Sequence, residues 1–378
     1  MVNAWTFGVF YSFGAAFKQM ATEFDAGLGA TAAVFAITTF LFFSGGLVAG
    51  PLSDRVGPRP LLAFGACSMG LGLFLTSYVQ SLTLGYLTYG VGVGLGIAGY
   101  LVPMTACVGG WFVQRRALAL GLYTGGIGLG TLLLVPAIEW LIRTEGWRLA
   151  FRLLGVATAV IYALATLIVA RPPQVAASGK AVRSVRSVMR RASFLRMYVA
   201  GLLMSTALFV PFVFIIKYST ERGVSDRSAA ALISVIGVGS VLGRFGLGAL
   251  GTKISTARLA LFCYLVQPFG YALWLVSDGA YPLLVIFATI LGFAYGGYVA
   301  LSPVLAAELY GVEGLGAILG VLYTSAGVGG LIGPIAAGVL LDATGSFAIV
   351  IGVSIGLTAA ASLVFLPLGR TQVPSLAK

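Results

Sequence analysis

The chain has 378 residues, of which 59% are hydrophobic and 9% charged, with a net charge of +12 and no histidine. A mean hydropathy of +1.02 excludes a soluble globular domain. The apolar stretches run about 20 residues between short polar breaks, as membrane-spanning helices require and barrel strands do not. We therefore predict an all-α membrane protein with twelve transmembrane helices. The predicted spans are 1–21, 31–53, 60–79, 82–108, 117–141, 147–170, 195–219, 228–251, 257–277, 280–308, 315–341 and 346–368.

The first predicted span lacks the basic leader and the clear small-residue cleavage site of a signal peptide, so we interpret it as a helix that is retained. The three cysteines, Cys67, Cys107 and Cys263, lie inside predicted spans at unrelated spacings. Their positions support neither a disulfide framework nor a metal site, and without histidine a metal centre lacks its most common ligand. We expect no metal and no cofactor.

The break between spans two and three reads GPLSDRVGPRP, residues 50–60. Its Gly-x-Leu-x-Asp-Arg-x-Gly pattern resembles the hallmark loop of the major facilitator superfamily. The resemblance implies that superfamily's fold, with two pseudo-symmetric six-helix bundles. A carboxylate at a helix end can face the positive end of another helix, and neighbouring arginines can stay in headgroups or water. We expect Asp54, Arg55 and Arg59 to act in gating and not in substrate contact.

The segment GYLVPMTACVGGWFVQRRALALGLYTGG, residues 99–126, carries a narrower resemblance. Its Tyr-x-x-Pro, Trp-Phe pair, doubled arginine and Ala-Leu-x-Leu-Gly are similar to the signature of helices four and five in the monocarboxylate transporter family. GPIAAGVLLDATGSF, residues 333–347, resembles the end of helix eleven in that family and in the oxalate:formate antiporters. We identify the chain as resembling a bacterial member of the monocarboxylate transporter family.

The longest polar break, residues 171–196, holds seven basic and no acidic residues and divides the spans into six plus six. It is either a surface helix against anionic headgroups or a solvated loop that sets topology. We predict an N-terminal bundle at 1–170, a basic cytoplasmic linker at 171–194 and a C-terminal bundle at 195–378.

The two halves resemble each other. Gly50 and Gly248 stand in equivalent breaks 198 residues apart, and Tyr123 and Tyr323 stand in similar glycine-rich segments 200 residues apart. Two landmarks at nearly one offset indicate a duplicated six-helix unit, the internal symmetry of many secondary transporters.

The positive charge is unevenly distributed. With both termini in the cytoplasm, Arg143, Arg148, Arg152, Arg222 and Arg227 fall outside, whereas cytoplasmic segments hold most of the Lys and Arg. This positive-inside pattern accounts for the charge without a nucleic-acid partner and predicts that both termini lie in the cytoplasm. Together with the family resemblance, it leads us to expect a multi-pass protein of the bacterial inner (plasma) membrane. The cytoplasmic cations are Arg55, Arg59, Arg115, Arg116, Arg171, Lys180, Arg183, Arg186, Arg190, Arg191, Arg196, Lys253, Arg258, Arg370 and Lys378.

Arg244 is the only charge in the apolar run 229–250, and its counterpart in the first half is Gly46. An arginine at the bilayer centre costs about 2.5–3.5 kcal/mol on insertion scales and normally faces a cavity or a partner. No Asp or Glu lies deep in any predicted span, so a substrate carboxylate is the expected partner of its planar fork. The alternative is that Arg244 binds helix carbonyls or extends toward the cytoplasm. Ser240, one turn away, is a candidate polar companion.

The family resemblance adds two implications for this helix. The essential arginine of helix eight, which pairs with the substrate carboxylate in the family, corresponds to Arg244. The aspartate that animal members carry one turn earlier is Ser240 here, so carboxylate-based proton coupling at that position does not carry over. Ala326 stands where the oxalate antiporters have a second cation, a lysine. The absence of that cation favours a monocarboxylate.

Five tyrosines lie in spans that would border a central cavity in this fold. A phenol can donate to a carboxylate while its ring packs against an aliphatic tail, although helix packing or interfacial anchoring is the ordinary alternative for each. The candidates are Tyr11, Tyr100, Tyr295, Tyr298 and Tyr323.

These observations predict a secondary active transporter of small monocarboxylates, of the lactate and pyruvate type, that works by alternating access. Proton symport follows from the resemblance only. An oxalate or formate antiporter is the first alternative, and a non-transporting nutrient sensor is the second. An enzyme is the least favoured class, because no nucleophile, base and orienting group can be assembled without histidine or a buried carboxylate pair. The expected partners are the monocarboxylate anion, a proton and the lipid bilayer, with no obligatory protein partner.

Overall fold

The computed structural model describes residues 1–112, 116–171, 186–251, 254–311 and 315–370. The first half contains α1 (Val2–Tyr11), α2 (Phe13–Glu23), α3 (Leu28–Val56), α4 (Pro58–Thr76), α5 (Leu82–Gly85), a π-helix (Tyr86–Val93), α6 (Gly94–Trp111) and α7 (Arg116–Ile168). The second half contains α8 (Ala192–Thr220), α9 (Asp226–Leu250), α10 (Thr256–Ser277), α11 (Tyr281–Tyr310), α12 (Leu315–Thr344) and α13 (Phe347–Arg370).

Within the described ranges, ten helices are long and apolar enough to cross a membrane. One of them, Leu122–Ile168, is 47 residues long and contains two of the predicted spans. The first predicted span is divided into α1 and α2 at Ser12, whose hydroxyl donates to the carbonyl of Val9 at 2.7 Å. This local bond competes with the regular helix ladder. The all-α fold with twelve crossings is therefore confirmed.

The two arms of α7 meet at Gly146, whose φ of +81° is a conformation that favours glycine. Tyr123, near the start of α7, accepts a bond from Asn3 at 2.6 Å. Beyond the turn, Trp5 donates to Thr158 at 2.8 Å. Because both arms contact the beginning of α1, the chain folds back on itself at Gly146.

The π-helix was not predicted from the sequence. It interrupts the predicted span 82–108, and the carbonyl of Gly92 within it accepts a bond from Ser68 at 2.7 Å. An i→i+5 turn shifts carbonyls out of the regular ladder, and a neighbouring hydroxyl can then bind one of them.

Helices α1–α7 form the first bundle and α8–α13 the second. We call the end that carries both chain termini the terminal end, and the opposite end the distal end. Residues 172–185, most of the proposed linker, lie outside the described residues. The distal connections are residues 24–27, 77–81, 146, 221–225, 278–280 and 345–346.

At the distal end of the first bundle, Arg148 binds three connections together. It pairs with Glu23 at 2.7 Å, donates to the carbonyls of Ser77 at 2.9 Å and Val79 at 2.8 Å, and lies over the ring of Trp147. In the second bundle Arg222 has the corresponding role, because it pairs with Asp278 at 3.4 Å and lies over the rings of Tyr218 and Phe347. An arginine thus joins neighbouring distal connections in each bundle.

Aromatic rings of α8 pack the two bundles against each other in the distal half. Phe212 stacks on Tyr11 with 4.2 Å between ring centroids, and Phe214 packs on Phe17 at 5.1 Å. Large aromatic side chains that exclude water contribute strongly to such an interface. These contacts close the distal end between the bundles.

A charged contact reinforces this closure. The carboxylate of Asp342, near the end of α12, accepts hydrogen bonds from the backbone N–H groups of Leu28 at 2.8 Å and Gly29 at 3.0 Å. The first N–H groups of a helix lack partners in the helix itself, and their positive end favours an anion. Asp342 therefore caps a helix of the opposite bundle.

Candidate functional site around Arg244

Helices α9 and α11 pass each other in backbone contact through glycines on both sides. A Cβ on Gly296 would lie 2.6 Å from the carbonyl carbon of Ser240, and one on Gly239 would lie 2.7 Å from the carbonyl oxygen of Thr289. Gly243 and Gly292 complete the two Gly-x-x-x-Gly patterns. Small residues at this spacing let membrane helices approach closely. The contact fixes Arg244 of α9 beside Tyr295 of α11.

The Arg244 side chain is buried, with 6% exposed. Its Nη1 donates to the backbone carbonyl of Thr124 on α7, in the opposite bundle. Nε and Nη2 are buried without a hydrogen-bond partner among the described residues. These two nitrogens form one edge of the planar guanidinium, the arrangement that holds both oxygens of a carboxylate.

Two of the predicted tyrosines lie near the Arg244 guanidinium. The guanidinium carbon lies 5.8 Å from the centroid of the Tyr295 ring. The hydroxyls of Tyr295 and Tyr11 are 2.8 Å apart, and either oxygen can be the donor. Since Tyr11 belongs to the first bundle and Tyr295 to the second, the hydroxyl pair joins the bundles beside Arg244.

Ser240 and Tyr323 complete the cluster. Ser240 is 2% exposed, and its hydroxyl has no hydrogen-bond partner among the described residues. Tyr323 of α12 is half-buried and lies close enough to interact electrostatically with Arg244. The structure therefore brings together Arg244, Ser240, Tyr11, Tyr295 and Tyr323.

The other two predicted tyrosines lie elsewhere. Tyr298 packs edge-on against Tyr264 inside the second bundle, with 5.5 Å between centroids, and interacts with Tyr323 of the cluster. Tyr100 is 1% exposed and packs against Tyr162 of the first bundle at 5.4 Å. The position of Tyr100 matches the helix-packing alternative that the sequence left open.

The predicted gating residues lie at the terminal end, where α3 ends and α4 begins, and not beside Arg244. Arg55 and Arg59 are exposed. Arg59 donates to the carbonyl of Val169 and, at 3.5 Å, to that of Leu167, which joins the start of α4 to the end of α7. The side chain of Asp54 lies outside the described residues.

Two contributors to the site were not predicted. The Thr124 carbonyl is a backbone group, so its role has no signal in the side-chain pattern. Phe212, which stacks on Tyr11, belongs to the run FVPFVF at 209–214, whose three phenylalanines were an available sign of an aromatic contact surface.

Comparison with known proteins gives consistent results. A family model described as Major Facilitator Superfamily matches residues 2–280 and 197–377. A rat protein named monocarboxylate transporter 13 is 31% identical over 353 residues, covering 91% of this chain and 81% of the relative. Human monocarboxylate transporter 11 is 30% identical over 389 residues, covering 98% and 81%.

Solved structures show the same fold at low sequence identity. A bacterial homologue of the human lysosomal transporter Spinster, in an inward-facing and unoccupied conformation, matches with a TM-score of 0.77 at 16% identity, covering 98% of this chain and 95% of that one. The nucleoside transporter NupG matches with a TM-score of 0.76 at 13% identity, covering 97% and 98%.

Proposed function

Since this chain belongs to the major facilitator superfamily and, within it, to the monocarboxylate transporter family, we propose that it carries small monocarboxylates of the lactate and pyruvate type. Membership of the family makes it a multi-pass membrane transporter and not an enzyme. The substrate, the proton coupling and the orientation in the membrane belong to the proposal.

The observation that carries the proposal is the unpaired Nε–Nη2 edge of Arg244. A buried cation with unpaired donors is costly, and an anion that supplies two parallel acceptors removes most of that cost. A monocarboxylate bound here accepts from both nitrogens while its short tail lies against the rings of Tyr295 and Tyr11. Ser240 and Tyr323 supply further hydroxyls on the same cluster.

One guanidinium in the cluster also bears on substrate charge. A dicarboxylate would bring a second anion, and position 326, where the oxalate antiporters carry lysine, is Ala326. Burying an unpaired carboxylate is unfavourable. The site therefore supports a monocarboxylate better than oxalate.

Alternating access fits the contacts between the bundles. The contacts that close the distal end, together with the positive-inside distribution, support an orientation in which the distal end faces the outside of the cell. Both termini then lie in the cytoplasm, and the protein itself spans the inner membrane of a bacterium. Rocking of the bundles breaks the distal contacts while the Arg244 cluster stays near the pivot.

Proton symport is the part of the proposal that rests on the family alone. With Ser240 in place of an aspartate, the carboxylate of the substrate itself is the acidic group nearest Arg244. A proton that travels with the substrate leaves the transported pair neutral, which lowers the cost of crossing the bilayer.

The test is uptake of labelled lactate into proteoliposomes by wild type, Arg244→Gln and the control Arg258→Gln, whose exposed arginine lies at the terminal end. Losing charged hydrogen bonds worth about 1.5–3 kcal/mol predicts a loss of about tenfold to over a hundredfold for Arg244→Gln and none for the control. Full uptake by Arg244→Gln would refute the assignment. Uptake unaffected by an imposed pH gradient would refute symport and leave exchange or facilitated diffusion.

A further inference from the structure

A second buried charge lies at the interface between the bundles, away from the Arg244 site. Glu139 of α7 is 7% exposed. It lies about three helical turns toward the distal end from Gly128, on the same face of the helix, and Gly128 is covered by Val241 of α9. Glu139 therefore belongs to the side of α7 that closes against the second bundle.

The two charges that act on Glu139 differ in sign and location. Arg143, one turn away on α7, lies 3.6 Å from the carboxylate, but its own side chain is 50% exposed. Asp226, in the first turn of α9 in the opposite bundle, interacts unfavourably with Glu139. Asp226 is itself exposed and suits the positive end of its helix. Closing the interface thus brings two carboxylates toward each other.

Among the described residues, Arg143 is the only cation within ion-pairing distance of Glu139. Glu23 is bound by Arg148, Arg59 lies at the terminal end, and Arg244 is bound to Thr124. The charged residues on the helices that pack against α7 are Lys18 and Glu23 on α2, Arg59 on α4, and Asp226, Arg227 and Arg244 on α9.

We propose that Glu139 is a protonation switch for the distal gate, neutral while α7 and α9 are closed together and charged once the gate opens and water reaches it. The inference rests on the proposed function, because it requires alternating access. A buried carboxylate that is poorly paired is costly in its charged form, so closure favours proton uptake. By linkage, acid on the distal side then favours the closed gate.

The switch differs from the transported proton. Glu139 stays within the distal interface when the terminal end is open, so its proton returns to the side from which it came. It changes how readily the gate closes and leaves the number of protons carried per substrate unchanged. In the proposed orientation, acid outside the cell accelerates the inward half of the cycle.

The test measures opening of the distal gate directly. Spin labels at Glu145→Cys in the first bundle and Ala280→Cys in the second, with Cys67, Cys107 and Cys263 replaced by serine, report the distance between the bundles in nanodiscs. In the labelled parent, the ratio of closed to open forms should rise as the pH falls, by up to about tenfold per pH unit. Glu139→Gln should stay closed at every pH.

Control variants separate the switch from general effects of pH. Glu221→Gln removes an exposed distal carboxylate and should behave as the parent. Asp226→Asn leaves Glu139 in place and should reduce the pH response, which keeps the proposal testable even where Glu139→Gln fails to fold. A pH response that persists in Glu139→Gln, or an unchanged response in Asp226→Asn, would overturn the proposal.

Lactate counterflow by the same labelled protein distinguishes this inference from the proposed function. Distances that follow pH as described, in a protein that carries no monocarboxylate, would support the switch and refute the function. Transport that depends on Arg244, with distances independent of pH, would support the function and overturn the switch.

Discussion

The backbone contact between α9 and α11 can be tested by adding one methyl group to it. A Cβ on Gly243 would overlap the carbonyl oxygen of Phe293 and lie 2.9 Å from its carbonyl carbon and 3.0 Å from the nitrogen of Gly297. Ordinary contact requires about 3.4–4 Å, so the helices must separate by about 1 Å. Overpacking of this kind costs about 1–3 kcal/mol.

Gly248, on the same helix, provides the matched control because a Cβ there meets nothing within 4 Å. Gly248→Ala should be neutral or stabilising by about 0.5–1 kcal/mol, since alanine is the better helix former. We expect thermal unfolding in detergent to show a lower melting temperature for Gly243→Ala than for Gly248→Ala.

The same comparison reports on the site. Gly243 precedes Arg244, so separating the helices also moves the guanidinium from Tyr295, and lactate uptake should fall in Gly243→Ala while Gly248→Ala transports normally. Equal melting temperatures and equal uptake in the two variants would show that α9 and α11 are not in backbone contact, and the assigned geometry of the site would be wrong.

Two further predictions concern individual contacts. Tyr11→Phe removes the hydroxyl bond to Tyr295, worth about 0.5–1.5 kcal/mol, and should raise the lactate concentration for half-maximal uptake about two- to tenfold. Adding Tyr295→Phe should cause little further loss, and additive losses in the double variant would contradict the pairing. Arg148→Gln should destabilise the protein by about 1–2 kcal/mol after allowance for solvent screening, whereas exposed Arg227→Gln should not, and equal melting temperatures would contradict the role of Arg148 at the distal end.

Hydropathy predicted the twelve crossings because the bilayer imposes one length on every helix. Hydropathy did not predict the interruption at Ser12 or the π-helix at Tyr86–Val93, since both depend on local hydrogen bonds. Such bonds leave the mean hydropathy of a segment almost unchanged. The turn at Gly146 was located by a polar break in the sequence. The reversal needs a single residue outside helical geometry, so only Gly146 separates the two helices that it joins.

Arg244 was predictable because a charge within an apolar run is expensive wherever the helix lies. The sequence could not distinguish the tyrosines that line the site from those that pack between helices, because an aromatic ring is stable in either environment. Tyr11 and Tyr295 meet only through the packing of α1 and α11 across the bundles, whereas Tyr100 faces Tyr162 within one bundle. The rotation of each helix about its axis decides whether a tyrosine faces the site or the core, and tertiary contacts set that rotation.

The distal connections are short, and the reversal at Gly146 needs one residue outside helical geometry. In the proposed orientation, the protein therefore presents almost no projecting chain to the extracellular medium. Proteases and antibodies bind protruding segments, so we expect little proteolysis and little antibody binding on that side. A detectable external epitope would have to be inserted, and residues 221–225, longer than most of these connections and exposed along most of their length, offer a place for it.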